Sequence, residues 1–284
     1  MAMITQQAPA KLNLTLDIGE KRPDGYHDLV SVMQSVSLCD TVTMETGKGT
    51  GIAVSTNWET LPGDESNLAY RAAEVFFRET GTACQGLSIT LTKQIPMGAG
   101  LGGGSSDAAA VLRGLRKLYC PDMPLSRLQR MAIGIGSDVP FCVRGDTALV
   151  RGKGEEMIRL PKLPLCWFVI CKPDFSLSTA EMYQRIDQQP RGERSDTSGL
   201  TKALEYQDMR EISERLFNGF EQILPPESPI FAIKKRLLEL GARGACMTGS
   251  GSAVFGLFTE EKEAEKACKA MKTDNLQVFL AESV

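Results

Sequence analysis

Apolar and polar residues alternate in two segments of the chain, residues 11–18 and 87–95. An apolar side chain at every second position is typical of a strand that buries one face. Residues 66–78 instead carry apolar side chains at helical spacing, and Ser66 or Asn67 can serve as the N-cap. The first two segments are therefore predicted to be strands, and the third is predicted to be a helix.

The second half of the chain shows a similar mixture of patterns. Residues 165–171 form a continuous apolar run, which is typical of a strand covered on both faces. A helix with proline in its first turn is predicted at residues 229–240. Two strands around a Gly-Ser-Gly turn are predicted at residues 246–258. A charged amphipathic helix is predicted at residues 260–272, and a final strand is predicted at residues 277–281.

Glycine and proline accumulate in residues 153–164, and the sequence predicts a domain boundary there. We expect one domain at residues 1–156 and a second at residues 157–284, and each is long enough to bury a core. Because both parts mix strands with helices, the predicted class is α+β.

The glycine-rich segment between the strand at 87–95 and the helix that follows it is the most informative part of the sequence. It has five glycines among the seven residues 98–104. Glycine lets the backbone approach a ligand and turn its amides inward, and a helix N-terminus adds partial positive charge. The segment therefore predicts a polyphosphate cradle, to which Ser105 and Ser106 can add hydroxyl donors or a magnesium contact.

The alternative for this segment is a plain glycine hinge, but a hinge would need neither the helix nor the serines. The predicted phosphate loop consists of Pro96, Met97, Gly98, Ala99, Gly100, Leu101, Gly102, Gly103, Gly104, Ser105 and Ser106.

Two common phosphate-binding loops fit this segment poorly. The spacing of Gly98, Gly100 and Gly103 matches the dinucleotide fingerprint, but that motif also needs an acidic residue about 20 positions on, at the end of a second strand. Asp122 lies instead in a turn flanked by proline. A Walker loop needs a lysine after its last glycine, and none is present here.

Two charged positions have alternative interpretations. Lys11 and Asn13 are two apart on a predicted strand, so both side chains leave the same face. Lys11 either meets an anion or is an ordinary exposed lysine. Asp138 lies in a glycine-containing turn before a strand-like run at residues 141–143. It is either a general base near a reacting hydroxyl or a brace for the loop.

Two further motifs are also open to two interpretations. Tyr26 and His27 follow a tight turn, and an aromatic ring beside an imidazole suits recognition of a flat ring. They could equally be a packed tyrosine and a surface histidine. Residues 249–252 are either a plain hairpin turn or a source of backbone amides for an anionic substrate.

The composition argues against several classes of partner. A formal net charge of −3 provides no overall basic surface for nucleic acid, so an anionic ligand must be held locally. Eight scattered cysteines and a single histidine do not predict a zinc site. Cysteines within apolar runs indicate buried free thiols in a reducing cytosol. We expect neither a signal peptide nor a membrane helix, and thus a cytoplasmic protein.

Three segments together resemble the GHMP kinase superfamily. Residues 8–14, 96–106 and 244–256 carry motifs like those of that family, in its order and at fitting separations. The resemblance covers nearly the whole chain, and it implies a two-domain α+β kinase with its active site in the cleft between the domains. Residues 22–27 and 136–140 narrow the resemblance to the branch whose acceptor carries a cytidine.

That branch implies transfer of the γ-phosphate of ATP to the 2-hydroxyl of a cytidyl acceptor, in the non-mevalonate route to isoprenoid precursors. By this resemblance Asp138 corresponds to the catalytic base and Lys11 to its catalytic partner. The phosphate loop would hold ATP, and Mg²⁺ would be carried mainly by the nucleotide, with no protein ligand assigned. The substrate-binding residues that the resemblance implies are Asn13, Tyr26, His27, Thr179 and Tyr183. Among them, Tyr26 and Tyr183 would stack on the cytosine and His27 would form hydrogen bonds with it.

Three rival functions remain compatible with the sequence. They are a homoserine- or mevalonate-type kinase, a nicotinamide-dependent oxidoreductase using the same glycines, and a non-catalytic nucleotide-binding module. Tyr26 and His27 argue against the first, because neither homoserine nor mevalonate carries a nucleobase. We expect a monomer or weak homodimer that binds small molecules, without a nucleic acid or membrane partner.

Overall fold

The computed structural model describes residues 2–47, 49–189 and 192–284. The strands are β1 (Met3–Lys21), β2 (His27–Thr46), β3 (Ile52–Thr56), β4 (Leu87–Thr92), β5 (Thr147–Gly152), β6 (Glu156–Arg159), β7 (Trp167–Pro173), β8 (Phe217–Asn218), β9 (Gly244–Met247), β10 (Val254–Phe258) and β11 (Leu276–Glu282). The helices are α1 (Leu68–Thr80), α2 (Gly103–Tyr119), α3 (Leu125–Ile133), α4 (Val139–Arg144), α5 (Thr179–Asp187), α6 (Thr197–Glu205), α7 (Met209–Glu214), α8 (Pro229–Glu239) and α9 (Glu261–Met271).

The chain forms two compact units, and neither of them is continuous in sequence. Unit 1 comprises Met1–Ala10, Cys39–Ile95 and Gly102–Gly145. Unit 2 comprises Lys11–Leu38, Pro96–Leu101 and Asp146–Val284. The long strands β1 and β2 therefore contribute residues to both units. A single boundary between residues 156 and 157 remains a prediction.

Unit 1 combines the strand order β3-β4-β2-β1 with helices α1 to α4. Strand β4 pairs antiparallel with the end of β2 and parallel with β3. The predicted helix at residues 66–78 is confirmed as α1. The Asn67 side chain accepts a hydrogen bond from the Ala69 amide at 2.9 Å, and Gly81 ends the helix at a φ of 68°. Helix α1 packs against α2, which begins where the phosphate loop ends.

Unit 2 contains a four-stranded antiparallel sheet in the order β11-β7-β10-β9. The apolar run predicted as a doubly covered strand is β7, in which all six residues from Phe168 to Pro173 are buried. A second group of strands has the order β6-β5-β2-β1-β8. Helices α8 and α9 pack on the four-stranded sheet and close an apolar core that includes Met182, Phe220 and Phe258.

Two expectations about local structure were wrong. Residues 141–143 belong to helix α4 rather than to a strand, because Pro140 opens a short helix that is buried all round. Residues 11–17 of β1 are buried on both faces, although their alternating sequence predicted one exposed face. The polar positions of this strand are buried because they form internal hydrogen bonds, as described below.

A helix that crosses a membrane needs about 20 consecutive, mostly apolar residues. None of the helices within the described ranges combines the length and apolarity that such a crossing needs.

Candidate active site

Lys11 and Asn13 lie side by side on β1, in unit 2. Lys11 is 3% exposed and Asn13 is 1% exposed, so the interpretation of Lys11 as an exposed strand lysine is wrong. The Lys11 ammonium donates to the Asn13 side-chain oxygen at 2.6 Å, and the Asn13 amide nitrogen donates to the Ser31 hydroxyl at 2.8 Å. A buried ammonium requires such partners, because an unpaired charge away from water is costly.

The Gly-Ser-Gly turn between β9 and β10 contacts the same strand. The Gly249 amide donates to the Asn13 side-chain oxygen at 2.9 Å, and the Asn13 amide donates to the Thr248 hydroxyl at 3.1 Å. Asn218, at the end of β8, holds the turn from the other side by donating to the carbonyl oxygens of Met247 and Gly249. Hydrogen bonds therefore anchor the turn to both β1 and β8.

The first half of the phosphate loop, Pro96–Leu101, belongs to unit 2 and contacts both of these segments. The Lys11 amide donates to the Leu101 carbonyl at 3.0 Å, and the Thr248 hydroxyl donates to the Gly100 carbonyl at 3.3 Å. Gly100 has a φ of 73°, and a Cβ at this position would lie 2.1 Å from the Thr248 carbonyl oxygen. Only glycine permits this backbone conformation and this close approach.

The second half of the phosphate loop belongs to unit 1 and leads into α2. Gly102 is the N-cap residue, at a φ of 70°, and it has no side chain with which to cap the first amides of the helix. Such amides are a common site for a phosphate group. Ser105 is partly exposed, whereas Ser106 is buried and donates its hydroxyl to the Pro9 carbonyl at 2.7 Å. Ser105 is therefore the better placed of the two hydroxyls for a ligand.

Unit 1 contains a buried ion cluster whose members precede and follow the phosphate loop in the sequence. The Lys93 ammonium contacts the carboxylates of Asp40 and Asp107, and all three side chains are at most 4% exposed. Asp40 also accepts hydrogen bonds from the amides of Gln94 and Ile95, at 2.5 and 2.8 Å. Because Lys93 precedes the loop and Asp107 follows it, one ammonium ties together the two chain segments that flank the loop.

Asp107 is the member of the ion cluster whose hydrogen bonding is incomplete. Its Oδ1 is the one buried side-chain oxygen or nitrogen in the described part of the chain that has no hydrogen-bond partner. Burial is the main cause that raises the pKa of Asp107 to about 7, with the negative charge of Asp40 adding to it and Lys93 opposing it. Sequence reasoning missed this cluster, because nothing in the sequence marks Lys93 or Asp40 as buried.

Asp138 lies directly before α4 in unit 1 and is partly buried. Its backbone carbonyl accepts from the Cys142 amide, but its side chain makes no capping hydrogen bond to the helix. Capping of α4, the simplest bracing role for this carboxylate, is therefore not its role here.

The predicted base-recognition residues lie in unit 2, in an arrangement that differs from expectation. His27 is buried and stacks on Tyr183, with ring centroids 4.9 Å apart and an interplanar angle of 21°. Its Nε2 lies 2.7 Å from Asp187 Oδ1. Tyr26 is 57% exposed, with the Lys153 ammonium 5.0 Å from its ring centroid. His27 is therefore not a surface histidine, and one ring face of Tyr183 is already covered by the imidazole.

Thr179 begins α5 and contacts the Gly-Ser-Gly turn. Its hydroxyl lies 2.7 Å from the Ser250 hydroxyl, and Ser252 donates to the Phe175 carbonyl at 2.6 Å. The contact links Thr179 through the turn to Asn13 and Lys11.

Sequence reasoning missed Asp187, which contacts His27, and Lys21, which contacts Asp187, because no motif marks either residue.

Two family models match the chain. One is described as the GHMP kinases N terminal domain and matches residues 67–146. The other is described as GHMP kinases C terminal and matches residues 200–276.

Relatives of known name are similar over nearly the full length. The chain is 43% identical to the 4-diphosphocytidyl-2-C-methyl-D-erythritol kinase of Syntrophomonas wolfei over 281 residues, which cover 99% of this chain and 98% of that protein. It is 39% identical to the protein of the same name from Geobacter sulfurreducens over 273 residues, covering 96% of each.

Solved structures show the same fold. A 4-(cytidine 5'-diphospho)-2C-methyl-D-erythritol kinase superposes with a TM-score of 0.83 at 33% identity, covering 99% of each chain. The homoserine kinase of Cytophaga hutchinsonii gives a TM-score of 0.78 at 21% identity, covering 100% of this chain and 95% of that one. The mevalonate kinase of L. major gives a TM-score of 0.75 at 16% identity, covering 99% of this chain and 95% of that one. At these low identities, the last two similarities concern the fold alone.

The close approach of Gly100 to Thr248 predicts the effect of a single methyl group. Gly100→Ala would clash with the Thr248 carbonyl and force a non-glycine residue to a positive φ. We expect the free energy of unfolding to fall by about 1–3 kcal/mol, measured by urea denaturation. Gly104→Ala is the matched control, because its Cβ would meet only Leu68 Cδ1 at 3.6 Å. This control should be neutral or slightly stabilising, and equal losses in both variants would contradict the prediction.

The raised pKa of Asp107 predicts how stability depends on pH. Between the ordinary pKa of 3.8 and about 7, the folded chain holds a proton that the unfolded chain releases. The free energy of unfolding should therefore decrease as pH rises through this window, by at most about 1.4 kcal/mol per pH unit. Asp107→Asn should remove this contribution to the slope, measured by urea denaturation at several pH values. The exposed Asp122→Asn is the control, and the prediction fails if Asp107→Asn keeps the wild-type slope.

Proposed function

The chain belongs to the GHMP kinase family, and we propose that it transfers the γ-phosphate of ATP to the 2-hydroxyl of 4-diphosphocytidyl-2-C-methyl-D-erythritol. The observation that carries the proposal is the contact of the buried pair Lys11 and Asn13 with two glycine-rich segments, one holding Gly100 and the other Gly249. A buried lysine beside the glycine turn at Gly249 suits a reaction in which phosphoryl oxygens gain charge. Similarity to kinases of that name over 99% of the chain supports the choice of acceptor.

The phosphate loop holds the nucleotide in this proposal. The loop at residues 96–106 supplies backbone N–H groups from residues 97–106 to the phosphates of ATP, and the N-terminus of α2 favours their negative charge. When carried by the nucleotide, Mg²⁺ would neutralise part of the phosphate charge. Within the described residues no group of three or more histidine, cysteine or acidic side chains is placed to hold a metal ion. In this proposal the ion is assigned to the nucleotide phosphates, with Ser105 as the hydroxyl that would contact it.

Asp138 is the general base in this proposal and Lys11 its partner. The acceptor hydroxyl loses its proton to the Asp138 carboxylate while its oxygen attacks the γ-phosphorus. The bond from the γ-phosphorus to the β–γ bridging oxygen breaks, and ADP leaves. The Lys11 ammonium stabilises the negative charge that develops on the transferring group. Asn13 holds the ammonium in place through the hydrogen bond already described.

The cytidyl half of the acceptor is assigned to residues of unit 2. Tyr26 stacks on the cytosine, and His27 forms hydrogen bonds with it. Tyr183 contributes to the stack, either directly or through the imidazole that covers one of its faces. Thr179 is assigned to the acceptor because its hydroxyl lies beside Ser250 of the anchored turn.

Substrate choice is tested by measuring ADP release with a panel of acceptors. With ATP present, we expect turnover with the cytidyl acceptor and none above background with mevalonate or homoserine. Titration with NADH in place of ATP should show no binding at the glycine loop. Turnover with mevalonate or homoserine but not with the cytidyl acceptor would overturn the assignment, and absence of turnover with every acceptor would leave a binding module.

The role of Asp138 is tested by Asp138→Asn, which keeps the shape of the side chain and removes its basicity. We expect the turnover number to fall by ~10² or more while ATP affinity remains nearly unchanged. The measurement is steady-state kinetics together with calorimetric titration of ATP. Asp122→Asn removes an exposed acid of the same unit and serves as the control, and it should behave as wild type.

A double variant tests whether the two residues act as a unit. If Asp138 and Lys11 serve one step, then the double variant Lys11→Met with Asp138→Asn should lower the turnover number little more than the more damaging single variant does. A loss equal to the product of the two single losses would show independent roles. Near-normal turnover of Asp138→Asn would remove this residue from the catalytic role altogether.

A further inference from the structure

His27 is the only histidine of the chain, and its side chain is 4% exposed. Its Nε2 faces Asp187 Oδ1 at 2.7 Å, across 160 residues of sequence. Stacking on Tyr183 holds the plane of the imidazole, and the hydrogen bond to Asp187 fixes the orientation of the ring within that plane. Within the described ranges, Nδ1 makes no hydrogen bond to another residue. One ring nitrogen is thus fixed by the fold, and the other is left for a ligand.

The partner of Nε2 determines which nitrogen carries the hydrogen. Lys21 donates to Asp187 Oδ2 at 2.5 Å. Hydrogen bonds from Lys21, and then from His27, lower the pKa of Asp187, so it is an ionised carboxylate that can only accept. Nε2 must therefore carry its hydrogen, and in the neutral ring Nδ1 is left with a lone pair.

Both members of the pair line one cavity of unit 2. The cavity has a volume of about 460 Å³ and is also lined by Lys21, Glu193 and Arg194. This volume lies in the range of pockets that hold small ligands. A ligand in this part of unit 2 can therefore reach the imidazole without rearrangement of the core.

We propose that Asp187 is a positioning residue that selects cytosine over uracil by fixing the hydrogen of His27 on Nε2. Cytosine presents an amino group at the position where uracil presents a carbonyl oxygen. A lone pair on Nδ1 accepts a hydrogen bond from that amino group, but it repels the carbonyl oxygen. A site built around one hydrogen bond discriminates strongly, because the wrong base leaves a buried polar atom unpaired. This inference rests on the proposed function, in which His27 contacts the base of the acceptor.

Lys21 makes the effect of an amide substitution predictable. In Asp187→Asn the side chain has one oxygen, and the Lys21 ammonium, which can only donate, will take it. The amide nitrogen then faces Nε2 and donates to it, so that the hydrogen of the imidazole moves to Nδ1. Nδ1 becomes a donor, which suits the uracil carbonyl and not the cytosine amino group. The substitution should therefore shift the base preference and not only weaken binding.

The first experiment reads the imidazole directly and needs no substrate. Because the chain has one histidine, protein labelled with ¹⁵N-histidine gives one pair of ring nitrogen signals. We expect the Nε2–H form in the wild type and a shift toward the Nδ1–H form in Asp187→Asn. Asp187→Glu, which keeps the carboxylate, should retain the wild-type form. An Nδ1–H form in the wild type, or no change in Asp187→Asn, would overturn the inference even if the proposed kinase activity is correct.

The second experiment measures kcat/KM for the cytidyl acceptor and for its uridyl counterpart. We expect the cytidyl-to-uridyl ratio to fall at least ~10-fold in Asp187→Asn, with the KM for ATP unchanged. Glu193→Gln removes a similar charge from the same cavity and is the matched control, in which the ratio should not change. Equal loss for both acceptors in Asp187→Asn would make Asp187 merely structural and would overturn the inference. Failure of the wild type to use either acceptor, with the expected ¹⁵N signals, would instead overturn the proposed function.

Discussion

The side-chain amide of Asn13 is the interaction on which the candidate site depends. Its oxygen accepts from the Lys11 ammonium, from the Gly249 amide and, at 3.2 Å, from the Thr248 hydroxyl. Its nitrogen donates to Ser31 on the neighbouring strand. One buried amide therefore fixes a lysine, a glycine turn and a strand relative to each other. Its loss would remove one acceptor of the buried Lys11 ammonium and the acceptor of the buried Gly249 amide, which costs more than the net value of one hydrogen bond.

A second buried cation plays the corresponding part in unit 1. Lys93 is surrounded by two carboxylates, so the cluster carries a net negative charge when all three groups are ionised. That excess charge, together with burial, explains why Asp107 retains its proton to a higher pH than an ordinary carboxyl. In both units a lysine is buried beside a segment of the glycine loop. In each case the neighbouring polar groups, rather than exposure to solvent, make a buried ammonium tolerable.

The regular elements were predictable where the sequence pattern is long. The helix after Asn67 and the strand at 165–171 were found from periodicity, because burial of one face or of both faces dictates the spacing of apolar residues. The run at 141–143 was too short for periodicity to separate a strand from a buried helix. The helices α3, α5, α6 and α7 were not predicted, because each of them buries at most three residues.

The site was predictable only in part, for a different reason. The glycine loop and the Gly-Ser-Gly turn follow from local backbone chemistry, which the sequence records directly. The burial of Lys11 does not, because its hydrogen-bond partners come from distant segments. Asp187 could not have been found, since it lies 160 residues from His27 in an unremarkable stretch of helix. Partners separated in this way become visible only when the fold brings them together.

The interleaving of the two units also bears on how the protein is made. The chain passes between the units five times, at residues 10–11, 38–39, 95–96, 101–102 and 145–146. Unit 1 has all of its residues once Gly145 has been synthesised, and so it can fold while the rest of the chain is still on the ribosome. Asn13, in contrast, emerges 235 residues before Thr248. The nascent chain must therefore carry Lys11 without its final surroundings for most of synthesis, and the candidate site is among the last parts of the molecule to be completed.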